Sequence, residues 1–284
     1  MTVMSNDLRE KEFHFTDKEF RFISKLVGER TGIVLSDSKR QMVYGRLSRR
    51  LRQLKLTHFS DYCDLLTRGD ETELVEFTNA ITTNLTAFFR ENHHFEYLKN
   101  RLLPELVKKK ADSKRIRIWS AGCSSGEEPY SIAMCVREVF PRSAGWDVKI
   151  LATDLDSNMV QRGKDGIYTA ERVEGLSDQR LKKWVKKGSG ANSDMVRMSD
   201  DLKSLITFKQ LNLMHDWPFK GKFDLMFCRN VVIYFNKETQ RELFDRYANV
   251  LEDDAHLFIG HSESLHKVTE RFDLLGQTIY KKIK

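Results

Sequence analysis

The sequence predicts an α/β domain with a small β-subdomain, preceded by a small all-helical domain. Three observations carry this reading. The first 85 or so residues show helical periodicity with no β-type alternation. From residue 111 onward, short β-prone runs alternate with helical stretches, the pattern of βαβ units. A chain of 284 residues also suits two domains of ordinary size.

The elements follow in order. Thr16-Asp17-Lys18-Glu19 is a capping box, with Phe20, Ile23, Leu26 and Val27 at helical spacing behind it and Gly32 as a stop. Asp37–Leu56 is the second helix, striped by Val43, Leu47, Leu51 and Leu54, and Asp61–Leu66 and Glu71–Thr82 are the next two. These make domain 1–85. Residues 86–110 form a linker and a connecting helix, Asn92–Lys110, that leads into domain 111–284. There Arg115–Ser120, Val148–Thr153, Ile206–Lys209, Phe223–Cys228 and Ala255–Gly260 read as strands, with a final pair at Phe272–Leu274 and Thr278–Lys281. Tyr130–Phe140, Ser157–Gly163 and Lys237–Leu251 read as helices between them. Residues 182–199 break the rhythm. Gly188-Ser189-Gly190 turns a hairpin between Trp184–Lys187 and Met195–Met198, with a plain surface loop as the alternative.

Composition bounds the function. With 40% hydrophobic and 31% charged residues and only four prolines, the chain affords a real core and excludes global disorder. No run approaches a membrane span, and the polar start, Met1–Lys11, lacks a signal-peptide core, so a soluble cytoplasmic protein is expected. A net charge of +7 favours an anionic partner without choosing one. Cys63, Cys123, Cys135 and Cys228 form no C-x-x-C pair and read as free thiols. His93-His94 are adjacent, so on a helix their side chains should diverge, and no metal is expected.

The densest chemical signal is Ile118–Tyr130 (IWSAGCSSGEEPY), a strand feeding a glycine turn and a helix. Gly122 and Gly126 do not match G-x-G-x-x-G, and no G-K-[ST] follows. Glu127 and Glu128 at the helix start would repel a pyrophosphate. The next strand ends at Asp154, with Asp156 beyond it, and an acid there can accept both hydroxyls of a ribose. A ribose acceptor beside a phosphate-hostile turn points to S-adenosylmethionine. Asn212 and Leu213 follow another strand and could give an amide and an apolar wall to adenine, and Arg229-Asn230 follow a third.

The segments TNLTAFFR (83–90), AGCSSGEEPYSIAM (121–134), ATDLD (152–156), GIYT (166–169), NL (212–213), FCRNVVIYF (227–235) and GHSE (260–263) resemble the CheR family of chemotaxis receptor methyltransferases. The resemblance implies a Rossmann-like class I methyltransferase domain with a β-subdomain behind the helical domain. It implies methyl transfer from S-adenosylmethionine to glutamates on chemoreceptor cytoplasmic helices, leaving S-adenosylhomocysteine and glutamyl methyl esters in chemotaxis adaptation. Cofactor contacts then fall on Asn84, Thr86, Arg90, Glu128, Asp154, Asn212, Leu213, Arg229 and Asn230, with Gly122 in the turn beside them. Asp154 takes the ribose, Glu128 lies near the methionine ammonium, and Arg90, anchored by Phe88-Phe89, handles the carboxylate and closes the site.

The reaction asks little of acid–base groups, because a glutamate is already ionised at neutral pH. In-line alignment and exclusion of water are what the enzyme must supply. No Ser/His/Asp relay is expected, and His261 and Cys123 are not assigned catalytic roles. Arg90 and Tyr234 are the catalytic candidates, the phenol donating one hydrogen bond to the incoming carboxylate. The second helix carries seven basic residues against Asp37 alone, a balance of +6. The resemblance makes it the receptor-docking surface, with Arg46 and Arg52 leading, and offers the β-subdomain as a site for a receptor C-terminal peptide. A monomer is expected, cytoplasmic and recruited to membrane-bound receptor arrays, without nucleic acid or membrane insertion. A nicotinamide oxidoreductase is disfavoured by the glycine spacing. An amino-methylating nucleic-acid enzyme is disfavoured because Arg229-Asn230-Val231-Val232 lacks the prolines of an Asn/Asp-Pro-Pro-Tyr/Phe segment. An adaptor that keeps the fold only for protein binding is the non-enzymatic alternative.

Overall fold

The computed structural model describes residues 12–140 and 144–284; the polar start, Met1–Lys11, lies outside them. The chain divides into two compact units, Met1–Thr82 and Thr83–Lys284.

The first unit is helical. α1 (Asp17–Thr31) opens on the reciprocal Thr16–Glu19 capping box and closes on Gly32, whose φ of 74° suits a residue without Cβ. A 3-10 turn (Asp37–Lys39) leads into α2 (Arg40–Leu54), followed by α3 (Phe59–Thr67) and α4 (Glu71–Ile81). Val43, Leu47 and Leu51 of α2 are fully buried with Ile23, Phe59 and Phe77, the apolar stripe that drives the packing. One buried polar knot crosses this core: Glu73 accepts from Tyr62 at 2.7 Å and from Arg50 at 2.5 Å.

The second unit begins with α5 (His93–Tyr97) and α6 (Leu103–Lys109), joined by a π turn at Leu98–Leu102. The α/β part follows: β1 (Arg115–Ala121), α7 (Glu127–Val139), β2 (Asp147–Asp154), α8 (Ser157–Asp165), β3 (Ile167–Thr169), α9 (Ala170–Val173), α10 (Asp178–Trp184), β4 (Val185–Lys187), β5 (Met195–Met198), α11 (Asp200–Lys203), β6 (Ile206–Gln210), β7 (Phe223–Cys228), α12 (Lys237–Val250), β8 (Leu251–Ile259), β9 (Phe272–Gly276) and β10 (Ile279–Lys282). The main sheet runs β6-β2-β1-β7-β8-β10-β9. Its first five strands are parallel, and β10 pairs antiparallel with both β8 and β9. β7 is buried at every position, as a central parallel strand should be.

The expected hairpin is present: β4 and β5 pair antiparallel, Val185 opposite Met198. The subdomain nevertheless differs from the 182–199 reading on its N-terminal side. Residues 182–184 complete α10, where Trp184 is buried, and β3 adds a third strand to give the order β3-β5-β4. Three residues are too few to show a period, which is why β3 is invisible to pattern analysis. Among the described residues no helix is long and apolar enough to cross a membrane.

Candidate active site

β1 lies between β2 and β7, so the chain leaves the middle of the sheet in both directions, and the carboxyl ends of β6, β2, β1 and β7 form one rim. Two clusters of side chains occupy it.

The first surrounds the glycine turn. Gly122 holds φ 75°, and a Cβ there would stand 2.3 Å from the Val231 side chain, so only glycine fits. The turn that follows aims the Ser124 N–H at Asp154 Oδ2, 2.7 Å away, while Oδ1 accepts the Asp156 N–H at 2.9 Å. Burial pushes Asp154 up to about 6 even though those N–H bonds favour its charged form. Asp156 caps α8 and accepts the Asn84 side-chain amide at 2.7 Å, and Ser124 donates its hydroxyl to the Asn84 carbonyl at 2.9 Å. Asn84, Gly122, Ser124 and Asp154 are thereby brought together. Thr86 joins the wall through its carbonyl, which accepts from Arg172 at 3.0 Å.

The second cluster is a buried charge network around Arg229, whose side chain is only 2% exposed. It meets Glu128 at 3.1 Å and Glu91 at 3.2 Å, and it donates to the Arg90 carbonyl. Glu128 also accepts from Ser120 at 2.7 Å; burial raises its pKa, opposed by Arg229 and Ser120. Its charge is thus already balanced, and an ammonium ligand would share the carboxylate with those two partners. Arg90 turns one guanidinium nitrogen to the Leu85 carbonyl at 2.8 Å, a bond that closes its own loop. Four other N–H donors of that fork remain available to a carboxylate by ordinary guanidinium valence.

Asn230, at φ 60°, continues from Arg229, and its N–H is one of four that converge on Glu263. The others come from Gly260, Val232 and Ile233, at 2.6, 2.9 and 3.3 Å. This buried carboxylate shapes the 3-10 turn Val232–Tyr234 on which the half-buried Tyr234 sits. Asn212 caps the loop after β6, accepting from Met214 N–H at 3.0 Å, and Leu213 is buried beside it. The thiols of Cys123 and Cys228 are buried and pushed well up, which removes them as nucleophiles at neutral pH.

Three features were not legible in advance. Glu263 belongs to the GHSE segment and Glu91 follows Arg90, but a lone glutamate in sequence does not reveal which backbone N–H groups it will gather. His93 and His94 do not diverge as adjacent helical residues should: their rings are 4.1 Å apart at the start of α5. With Glu91 they offer ligand atoms within 4.8 Å of one another. Glu91 already balances Arg229 and bonds His261 at 2.9 Å, and burial and Arg229 hold His94 down to about 3, so the group is accounted for as an ion-pair network.

The docking candidates fare differently. Arg46 is not a free surface charge: it donates to the Ile81 and Thr82 carbonyls at the end of α4. Arg52 is exposed and pairs with Glu12 at 3.0 Å.

The family described as "CheR methyltransferase, SAM binding domain" matches residues 84–281, and "CheR methyltransferase, all-alpha domain" matches residues 18–82. The chain belongs to the CheR methyltransferase family. It is 43% identical to the "Chemotaxis protein methyltransferase" of Escherichia coli, covering 93% of this chain and 91% of that one. It is also 43% identical to the "Probable chemotaxis protein methyltransferase" of Rhizobium etli (88% and 94% covered) and 42% identical to "Chemotaxis protein methyltransferase 2" of Pseudomonas aeruginosa (95% and 95%). As a CheR methyltransferase it uses S-adenosylmethionine to methylate chemoreceptor glutamates, the activity and class I fold the sequence implied.

Proposed function

We propose that the two rim clusters divide the work of this methyl transfer: the glycine-turn cluster holds the cofactor's nucleoside end and the Arg229 network holds its amino-acid end. The observation that carries the reading is Asp154, a buried carboxylate at the end of β2 whose oxygens face the N–H groups of Ser124 and Asp156 beside the glycine turn. Asp154 accepts the ribose hydroxyls, Asn212 and Leu213 flank the adenine, and Asn84 and Thr86 close over the turn. Arg90 takes the carboxylate with its planar fork, and Glu128 meets the ammonium. When bound, the cofactor supplies an electrophilic methyl on a sulfonium. Tyr234 donates a hydrogen bond that orients the incoming glutamate, and Arg229 and Asn230 fix the floor beneath it. No side chain has to move a proton, because the nucleophile arrives ionised.

α2 and the residues that flank it present the exposed cations Lys39, Arg49, Arg52 and Lys55, which steer the chain toward an acidic receptor face. Arg52 retains its docking role; Arg46 acts instead through the shape of the helical unit. The subdomain's edge strand β4 supports capture of a receptor C-terminal peptide as an added strand. The protein works as a monomer recruited to receptor arrays. The test is incubation with methyl-labelled cofactor and receptor cytoplasmic fragments, with and without their C-terminal tails. Base-labile glutamyl esters located by mass spectrometry are expected, formed faster when the tail is present; label absent from glutamate in both fragments would defeat the reading.

A further inference from the structure

We propose that Glu91 is a positioning residue for methyl transfer, clamping the turn that carries Arg90 onto the ends of β7 and β8. The inference rests on the reading of Arg90 as a cofactor contact. Phe89 and Glu91 both lie in the left-handed region, at φ 53° and 55°. Side chains other than glycine seldom occupy it, and such a turn persists only where its surroundings hold it. Before Arg90, the Ser131 hydroxyl accepts the Phe89 N–H at 3.0 Å. After it, a single carboxylate does the holding. Glu91 Oε2 accepts the His261 backbone N–H at 3.1 Å and lies 3.2 Å from the Arg229 guanidinium. Oε1 stands 2.9 Å from His261 Nδ1. Arg229 also donates to the Arg90 carbonyl, so guanidinium and carboxylate grip the same stretch of backbone from two sides.

Glu91 is 10% exposed at its side chain, and although burial alone would raise its pKa, His261 and Arg229 bring it down to about 2. It is therefore ionised at every working pH. With its carboxylate oxygens committed to His261 and Arg229, it acts on the cofactor through the placement of its neighbour.

A double-mutant cycle with Arg90 tests this, read by calorimetric cofactor titration and by methylation kinetics. Glu91→Gln keeps the shape and loses the charge; the Kd for S-adenosylmethionine should rise about tenfold, with the receptor KM unchanged. In an Arg90→Ala background the same change should add less than about twofold, because its route is already cut. Equal losses in the two backgrounds would overturn the proposal and leave Glu91 a fold-supporting group. Wild-type cofactor affinity in Arg90→Ala alone would overturn the role of Arg90 and this proposal with it. Loss in Arg90→Ala alongside wild-type affinity in Glu91→Gln would overturn only the latter. Should Glu91→Gln fail to fold, His261→Ala replaces a side chain that is 66% exposed and removes its imidazole contact to Glu91 Oε1. Only the imidazole contact to Oε1 is lost, the backbone N–H of residue 261 and Arg229 still holding Oε2, so the Kd should rise about two- to threefold, again only where Arg90 is present; unchanged affinity would overturn the clamp.

Discussion

Arg229 and Arg52 each meet glutamate at nearly the same separation, 3.1–3.2 Å on the sheet rim and 3.0 Å on α2. Their surroundings are opposite. The Arg229 side chain is 2% exposed, between carboxylates at 10% and 11%; Arg52 and Glu12 are 55% and 51% exposed. On the rim, water cannot replace a missing partner. On the helix it replaces either partner at once. Burial, not distance, decides what each pair is worth, and it also decides which arginine is available to a visiting protein.

The comparison is sharpest when one partner is removed. Arg229→Ala strands two buried carboxylates and should destabilise the fold by about 3–5 kcal/mol, whereas Arg52→Ala should change it by less than about 0.5 kcal/mol. Urea unfolding of the two variants checks this, and similar midpoints would break the contrast. Arg229→Ala should also lose cofactor binding, because it releases the Arg90 carbonyl.

Asp154 adds a buried acid without an ion-pair partner in its immediate hydrogen-bonded set, which makes its charge visible to pH. Its pKa in the folded chain is raised from the ordinary value near 3.8 to about 6. Its contribution to stability is therefore fully present below pH 3.8 and is lost as the pH rises through 6, on the order of 3 kcal/mol for a shift of this size. On the proposed role of Asp154, cofactor binding should run the other way, since ribose hydroxyls donate best to an ionised acceptor. The Kd for S-adenosylmethionine should be flat above about pH 7 and rise toward tenfold per unit below 6. Asp154→Ala should weaken binding by about 1–3 kcal/mol at pH 8 and abolish this pH dependence. A bend near pH 6 that survives in the alanine variant would assign the titration to another group.

The contrast also explains what could be read beforehand. Strand ends are legible because hydrophobic runs stop where the chain meets the rim, and Asp154, Asn212 and Arg229 stand at such stops. The α2 stripe of Val43, Leu47 and Leu51 is legible because it repeats at the helical period. Partners distant in sequence are not. Nothing local says that Glu263 will gather four backbone N–H groups, that Glu91 will meet His261, or that Arg46 will close the end of α4. A basic residue looks the same in sequence whether its charge is exposed or engaged, so the +6 balance of residues 37–56 overstates the charge available to a partner.

That correction sets the smallest expected effect. Arg40, Arg46 and Arg50 are held by Asp17, by the α4 carbonyls and by Glu73, which leaves Arg49 and Arg52 as the exposed arginines of the helix. Reversing those two to Glu should lower kcat/KM for receptor several-fold at low salt and leave cofactor affinity unchanged, because like charges then face each other across the encounter. The loss should shrink as salt rises, since exposed charges are screened over about 8 Å at physiological ionic strength. Arg46→Glu should behave otherwise. It sets a carboxylate against the Ile81 and Thr82 carbonyls, so unfolding should shift to lower urea, with any loss of receptor methylation insensitive to salt. Kinetics on all three proteins at two salt concentrations, beside urea unfolding, separate charge that steers from charge that builds. If Arg46→Glu alone reproduced the salt-dependent loss, its guanidinium would belong to the docking surface after all.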